Sequence, residues 1–494
     1  MRSDSVVSVR SAPARALGLL ALELTLASCG PLDPDRAQLA PGRLAHALSP
    51  SPLFDLAAIR DASTADCRFE GARDVIRSGV ALRVFNLSYL SWESIDGSLR
   101  PIRIRAFAAR PQAPAGRLPA VVQAHGLGGY ADESSATSLA ARLGLFAVAY
   151  SGPGSGTTAD NTSEGRPPGH GSGYRLFDTL HAPDGVRGSW FWAHTTAALR
   201  ALTCLAARPD VDADRLGMTG FSAGGVATLL AAGADDRIRA AVPLSGVLAW
   251  DEATRAPAAW QHALLAQAGL DTRSAEWQGL TRELVDPGVA LAQSRGRILL
   301  VNGTTDEFFP LTAHVATLRA LATSPAAAAV RTSLVGNFDH GCYKLTGGES
   351  AATIEARAAL RAEGGQRAWF RHHLAGDPAF AALPQPPAVL VTTLGPLAQI
   401  TAQVDLPPGL AIEEVRLWWS SADSYVYASV ALDRKSSTRY QKLAALPLGP
   451  SSIYFVDVQY RTADWLAPTR FSISSVPTLP AGSTPRIRGI GTCL

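Results

Sequence analysis

Between residues 118 and 340 the chain repeats one pattern: a short unbroken apolar run, a Gly-rich or polar turn, then a stretch with apolar positions three or four apart. The apolar runs are PAVVQAHGLGG (119–129), LGLFAVAYSGPG (143–154), DRLGMTG (214–220), RIRAAVPLSG (237–246), GRILLVNGTTD (296–306) and VRTSLVGNFDH (330–340). A strand wetted on one face alternates apolar with polar residues, whereas unbroken runs belong to strands covered on both faces. Helical patterns lie between them, as SSATSLAARL (134–143), WFWAHTTAALRALTCLAARP (190–209, stopped by Pro209) and the run after Ser222, and SAATIEARAALRAEGGQRAWFRHHL (350–374) closes the series. This order predicts an α/β fold, a mostly parallel central sheet with helices on both faces.

Other patterns flank that core. VALRVFNLSYLSW (80–92) and LRPIRIRAFAARP (99–111), separated by ESIDGS, predict an antiparallel hairpin. Beyond PAFAALPQPP (378–387) come ITAQVDL, VRLWWSS, YVYASVAL, SIYFVDVQY and TRFSISSVP, alternating segments with turn signals and no helix. They predict a small C-terminal all-β, sandwich-like domain over 388–494, after an α/β domain over 61–377. Two excursions exceed ordinary connections: 155–189, rich in Gly, Pro, His and Ser, and 251–294, a candidate helical cap. Excursions of that length usually serve function or flexibility. Within the tail, Trp418, Trp419, Tyr425 and Tyr427 are candidate binding aromatics that strand alternation assigns half to the core.

Composition narrows the partners. The 494 residues are 47% hydrophobic and 18% charged, with a formal net charge of +3 and no dense Lys/Arg block. With no zinc-ligand spacing and no phosphate-cradling loop bearing a lysine, nucleic acid, nucleotide and metal are not expected ligands. At the N-terminus, Arg2, Arg10 and Arg15 precede ALGLLALELTLA (16–27), a run too short to span a bilayer. It ends in Leu26-Ala27-Ser28-Cys29, which resembles a bacterial lipobox. That resemblance implies a signal peptide over 1–28, lipid on Cys29, a Pro/Ala/Asp-rich tether over 29–60, and anchoring to a bacterial membrane. A plain secretory signal or a buried N-terminal helix is the alternative. With Cys29 lipidated, Cys67, Cys204, Cys342 and Cys493 remain for two disulfides in an oxidising compartment, with three connectivities open.

Candidate chemistry centres on GMTGFSAGGVATLL (217–230). Ser222 follows a strand and opens a helix, where a strained turn exposes a hydroxyl at the sheet's C-terminal edge. A Cβ at Gly220 or Gly224 would crowd that turn. A serine hydroxyl needs a base to take its proton, and His340 follows the last strand of the α/β pattern, in NFDHGCY. Asp306, ending the strand before it, is the candidate to orient the imidazole, with Glu307 and Asp339 as rivals. An anion site would take the Ala223 N–H and, from His125-Gly126-Leu127-Gly128-Gly129, the Leu127 N–H. His125 itself reads as a packing residue. Trp190 and Trp192 are core by default and otherwise candidates to line an acyl or sugar pocket. This chemistry calls for no cofactor.

Residues 80–374 resemble the α/β-hydrolase superfamily through AHGLGG, RPDVDADRLGMTGFSAGG, NGTTDEFF and FDHGCY. Within it, DVDADRLGMTGFSAGG with RIRAAVPLSG resembles acetyl xylan esterases, dienelactone-hydrolase-like enzymes and the prolyl oligopeptidase catalytic domain. NGTTDEFFP and the C-terminal strands are similar to PhoPQ-activated pathogenicity-related proteins, which carry a basic pair where this chain has Ala223-Gly224. Together with the N-terminal signal, the resemblance implies an exported serine hydrolase with a Ser222–His340–Asp306 triad, cleaving a small-molecule or polysaccharide-linked ester through an acyl-enzyme. An aminopeptidase-like amide hydrolase is the alternative, although residues 30–79 are too few for the propeller that peptidases of this superfamily usually carry. A catalytically inert, lipid-anchored binding protein is the second alternative.

Overall fold

The unbroken apolar runs form the middle of a 13-stranded sheet in the computed structural model. It describes residues 53–480 except 115, 170–175, 177–179, 181–182, 341–347, 422–425, 450 and 464–467. The signal peptide, Cys29, nearly all of the tether, Tyr425, Cys342 and Cys493 lie outside the described residues.

In the first half of the chain the strands are β1 (Arg68–Arg77), β2 (Val80–Ile95), β3 (Ser98–Pro111), β4 (Leu118–Ala124), β5 (Phe146–Tyr150), β6 (Val211–Phe221) and β7 (Ile238–Leu244). β8 (Arg297–Gly303) and β9 (Val330–Val335) complete the α/β part. The order β5-β4-β6-β7-β8-β9 is parallel throughout. The expected hairpin is β2–β3, closed at Asp96-Gly97 with φ of 51° and 76°. Two successive positive φ values make the turn twist in the sense of the strands it joins. β1 escapes the periodicity because RFEGARDVIR lies on the sheet's outer edge, and no buried face imposes alternation on it.

Helices cover both faces. α1 (Leu56–Arg60) precedes the sheet, α2 (Glu133–Leu143) follows β4, α3 (Trp190–Ala206) precedes β6, and α4 (Ala223–Ala234) follows it. The excursion after β7 folds as α5 (Trp250–Ala253), α6 (Trp260–Gln267), α7 (Ala275–Gly279) and α8 (Pro287–Ala290). Trp250, Trp260 and Trp277 are buried there, in ring contact with one another and with Phe191 and Phe309. α9 (Leu311–Leu321) precedes β9, and α10 (Ala351–Ala359) runs through π-turns into α11 (Gly365–Phe370), matching the helix expected over 350–374. One apolar cluster lies on the α3–α4 face and a second on the α2–α11 face. Among the described residues no helix is long and apolar enough to cross a membrane.

The tail is β-rich, as its alternation predicts. Its strands are β10 (Ala388–Leu394), β11 (Leu397–Gln403), β12 (Leu410–Ser421), β13 (Ala428–Ala431), β14 (Asp433–Arg434), β15 (Arg439–Ala444), β16 (Ser452–Thr462) and β17 (Arg470–Ser474). A separate four-stranded sheet has the order β10-β11-β15-β14. The other four tail strands extend the main sheet as β9-β17-β16-β12-β13. Ser474 pairs with Thr332, the Leu334 N–H donates to Ser474 Oγ at 2.9 Å, and Ser333 and Ser472 hydroxyls meet at 2.9 Å. Ile400 and Tyr440 of the small sheet share one apolar cluster with Val415, Leu417, Val456 and Val458. One sandwich layer is therefore continuous with the α/β sheet. A buried ion pair, Arg361 with Asp457, ties the helix between α10 and α11 to β16.

One disulfide lies among the described residues, between Cys67 and Cys204, joining the start of the fold to α3. Its neighbours reinforce the join. Arg200, one turn earlier on α3, donates to the carbonyls of Ala58, Ile59, Asp61 and Leu90, and Thr203 donates to Ile59 O at 2.9 Å.

Candidate active site

In an open parallel sheet the crevice lies at the C-terminal strand ends, where neighbouring connections leave in opposite directions. Here that point falls between β4, which connects onward to β5 on one side, and β6 on the other. Ser222 stands at the end of β6 with φ 58° and ψ −121°, a strained conformation for a residue with a side chain. Its N–H donates to Leu244 O at 2.9 Å, and its carbonyl accepts from Gly225 and Val226, which starts α4. A Cβ on Gly220 would come within 2.4 Å of Gly224 O, and one on Gly224 within 2.1 Å of Ala124 O. Both glycines are demanded by backbone against backbone.

Asp306 follows β8, and His340 follows β9. His340 Nε2 lies 2.9 Å from Ser222 Oγ, and His340 Nδ1 lies 3.1 and 3.0 Å from the two Asp306 carboxylate oxygens. Asp306 is fully buried, and its Oδ1 also accepts the N–H groups of Phe308 and Phe309 at 2.9 and 2.8 Å. The imidazole ring is stacked by Phe308 and Phe221, with centroids 4.2 and 5.0 Å away. Among the three candidate acids, Asp306 is the one facing Nδ1; Glu307 instead accepts from the His340 main-chain N–H at 3.2 Å. Burial by itself lowers the His340 pKa, but Asp306, with Glu307 and Asp339 nearby, more than offsets this and leaves it raised. Burial first, and then the Asp306 charge, push the Glu307 pKa up to about 8.

The loop after β4 lies against the serine: a Cβ on Gly126 would sit 3.1 Å from Ser222 Cβ. The Gly129 N–H donates to Gly126 O at 3.1 Å, folding residues 126–129 into a tight turn. Neither the Leu127 nor the Ala223 N–H has an acceptor among the described residues. His125, which sequence assigned to packing, fastens this turn. Its Nε2 accepts the Gly152 N–H at 2.7 Å, which leaves the proton on Nδ1 to donate to Gly126 O at 2.6 Å. Burial pulls its pKa down to about 4, so the ring is neutral.

Trp190 and Trp192 are both buried. Trp190 stacks on His194 at 4.4 Å and donates to Pro153 O at 3.0 Å; Trp192 stacks on Phe54 and donates to Leu53 O at 2.8 Å. Each indole is committed to core packing with its N–H satisfied. Trp418 and Tyr427 are buried too, and Trp419 partly so. A cavity of about 1270 Å³ between α2 and α10 reaches His125, Gly126 and Ser245, although neither Ser222 nor His340 lines it. Among the described residues no group of three or more His, Cys, Asp or Glu side chains is placed to hold a metal ion.

Residues 73–250 match the acetyl xylan esterase family, and residues 194–355 match the prolyl oligopeptidase family. No curated protein matches the chain. Similar solved structures include an acetyl xylan esterase from Paenibacillus sp. R4, 18% identical over 64% of this chain and 96% of that one, with a TM-score of 0.47. Acetyl xylan esterase 1 from Thermoanaerobacterium sp. JW/SL YS485 is 18% identical over 63% and 95%, with a TM-score of 0.45. A glucuronoyl esterase from Solibacter usitatus is 14% identical over 60% and 92%, with a TM-score of 0.35. The strand order and the two family matches carry the assignment: the chain is an α/β-hydrolase.

Proposed function

We propose that this α/β-hydrolase is an exported, lipid-tethered serine esterase that cleaves carboxylic esters through an acyl-enzyme. One observation supports this above the rest: an unbroken hydrogen-bonded line from Ser222 Oγ through His340 to buried Asp306, with contacts of 2.9 and 3.0 Å. Ser222 Oγ bonds to the ester carbonyl carbon while His340 Nε2 takes its proton. Asp306 holds the imidazole with Nδ1 protonated and offsets the charge that develops on it. The Leu127 and Ala223 N–H groups take the oxyanion, aided by the positive end of α4. As the tetrahedral intermediate collapses, the C–O bond to the alcohol breaks and His340 returns the proton to the departing oxygen. Water, deprotonated by the same imidazole, then attacks the acyl carbon and releases the acid and Ser222. No step draws on a cofactor.

The substrate class under this proposal is a small-molecule or polysaccharide-linked ester. The prolyl oligopeptidase match over 194–355 favours one second reading, amide cleavage by the same residues. Rates on short p-nitrophenyl esters against aminoacyl anilides separate the two. The central test is Ser222→Ala, which removes only an oxygen and keeps the backbone as it is. It is expected to lower kcat by roughly 10⁶-fold and to abolish fluorophosphonate labelling, with circular dichroism and Tm unchanged. A folded variant that still hydrolyses ester at the wild-type rate refutes the assignment.

A further inference from the structure

Asn337 lies three residues before His340, in the turn that leaves β9. Its backbone is left-handed, with φ 58°, a region Asn enters more readily than most residues. The side chain is only 2% exposed and makes a two-point clamp on the main chain of Tyr427. Oδ1 accepts the Tyr427 N–H at 2.7 Å, and Nδ2 donates to Tyr427 O and to Glu349 Oε2, both at 2.9 Å. The neighbouring residue is held from the same side: a Cβ on Gly336 would sit 2.5 Å from the Trp418 ring. Arg357 lies 4.6 Å from the centre of that ring, donates to Gly336 O at 2.7 Å and pairs with Glu349.

Trp418 and Tyr427 belong to the tail, and with Ile453 and Phe455 they form an apolar cluster against Leu311 and Leu334. From the other side, the turn is bonded to the loop that carries Asp306. The Asn337 N–H donates to Thr304 Oγ1 at 2.9 Å, Thr304 N–H to Val335 O at 3.0 Å, and Thr305 N–H to Phe338 O at 3.1 Å. The residues leading into His340 thus sit between the Asp306 loop and the tail, with the Asn337 amide joining them.

We propose that Asn337 is a positioning residue for His340: by clamping the Tyr427 main chain, it makes the C-terminal β-rich region a brace that holds the imidazole within reach of Ser222. The inference rests on the esterase reading above and gives the tail a part in it. A misplacement of about 1 Å in a reacting group costs on the order of 100-fold in rate, so a brace of this kind acts on turnover more than on substrate binding.

The test is Asn337→Gly in the full chain, because glycine accepts the left-handed backbone while removing the side chain that makes the clamp. With p-nitrophenyl acetate, well below the variant's Tm, kcat is expected to fall about 10- to 100-fold with KM within threefold of wild type. Fluorophosphonate labelling of Ser222 slows in parallel, since it needs the same base. Asn337→Ser, whose side chain is too short to bond both the N–H and the carbonyl of Tyr427, is expected to show the same fall in kcat, and it carries the test alone if the glycine variant does not fold. A folded variant with kcat within twofold of wild type and only a lowered Tm overturns the inference. A wild-type protein that neither hydrolyses ester nor labels at Ser222 refutes the esterase reading instead.

Discussion

Asp306→Asn is the substitution whose outcome the geometry specifies most closely. Asp306 Oδ1 accepts two main-chain N–H groups, from Phe308 and Phe309 at 2.9 and 2.8 Å. In the asparagine variant only the amide oxygen can occupy that place, so the NH2 group falls where Oδ2 was, 3.0 Å from His340 Nδ1. An N–H facing Nδ1 at that distance disfavours a proton there and shifts the neutral ring toward carrying it on Nε2. That nitrogen faces the serine at 2.9 Å and can then no longer accept the Ser222 proton. The wrong tautomer costs about 10⁴-fold in kcat, or about 5.4 kcal/mol at 1.36 kcal/mol per decade. Packing is conserved, so Tm should change little. The pH profile supplies an independent sign. Neutral His340 is the active form, and its pKa is raised above the ordinary 6.5, so wild-type kcat/KM falls as pH drops through a midpoint above that value. Removing the Asp306 charge leaves burial as the largest influence, and the acid limb of the residual activity moves to lower pH. Initial rates on p-nitrophenyl acetate from pH 5 to 9, with circular dichroism as the folding control, measure both. Activity within tenfold of wild type with an unmoved acid limb would refute Asp306 as the orienting acid.

Two further outcomes concern the N-terminal half. The Cys67–Cys204 bond closes a loop with a sequence separation of 137, so reducing it or changing both cysteines to alanine should cost about 2–4 kcal/mol, read as a lower Tm with dithiothreitol; a Tm unaffected by reductant would show that the bond does not contribute. If Cys29 carries lipid, Cys29→Ser in a bacterial host should abolish palmitate labelling and move the protein from the detergent phase to the aqueous phase of a Triton X-114 partition. Equal labelling of both forms would rule the anchor out.

The amino-acid sequence determined the central strands, the β2–β3 hairpin and the glycines around Ser222, because burial on two faces, a two-residue turn and backbone clashes each restrict residue type locally. It also named Ser222, Asp306 and His340, which the fold brings into one hydrogen-bonded line. Periodicity reports whether a strand is buried but not which strand lies beside it. The tail's alternating segments therefore announced β-structure without revealing that β17 pairs with β9 and extends the main sheet. β1, exposed along an edge, carried too weak a pattern to be read at all. Sequence favoured Asp306 over Glu307, but their orientations exist only in space, where adjacent residues on a turn point in different directions and Asp306 is the one that meets Nδ1. The clamp between Asn337 and Tyr427 joins positions separated by 90 residues through one amide, and the pairing of Cys67 with Cys204 joins others at a separation of 137. Local sequence fixes conformation over a few residues, whereas contacts of that range exist only once the whole sheet has set its strand order.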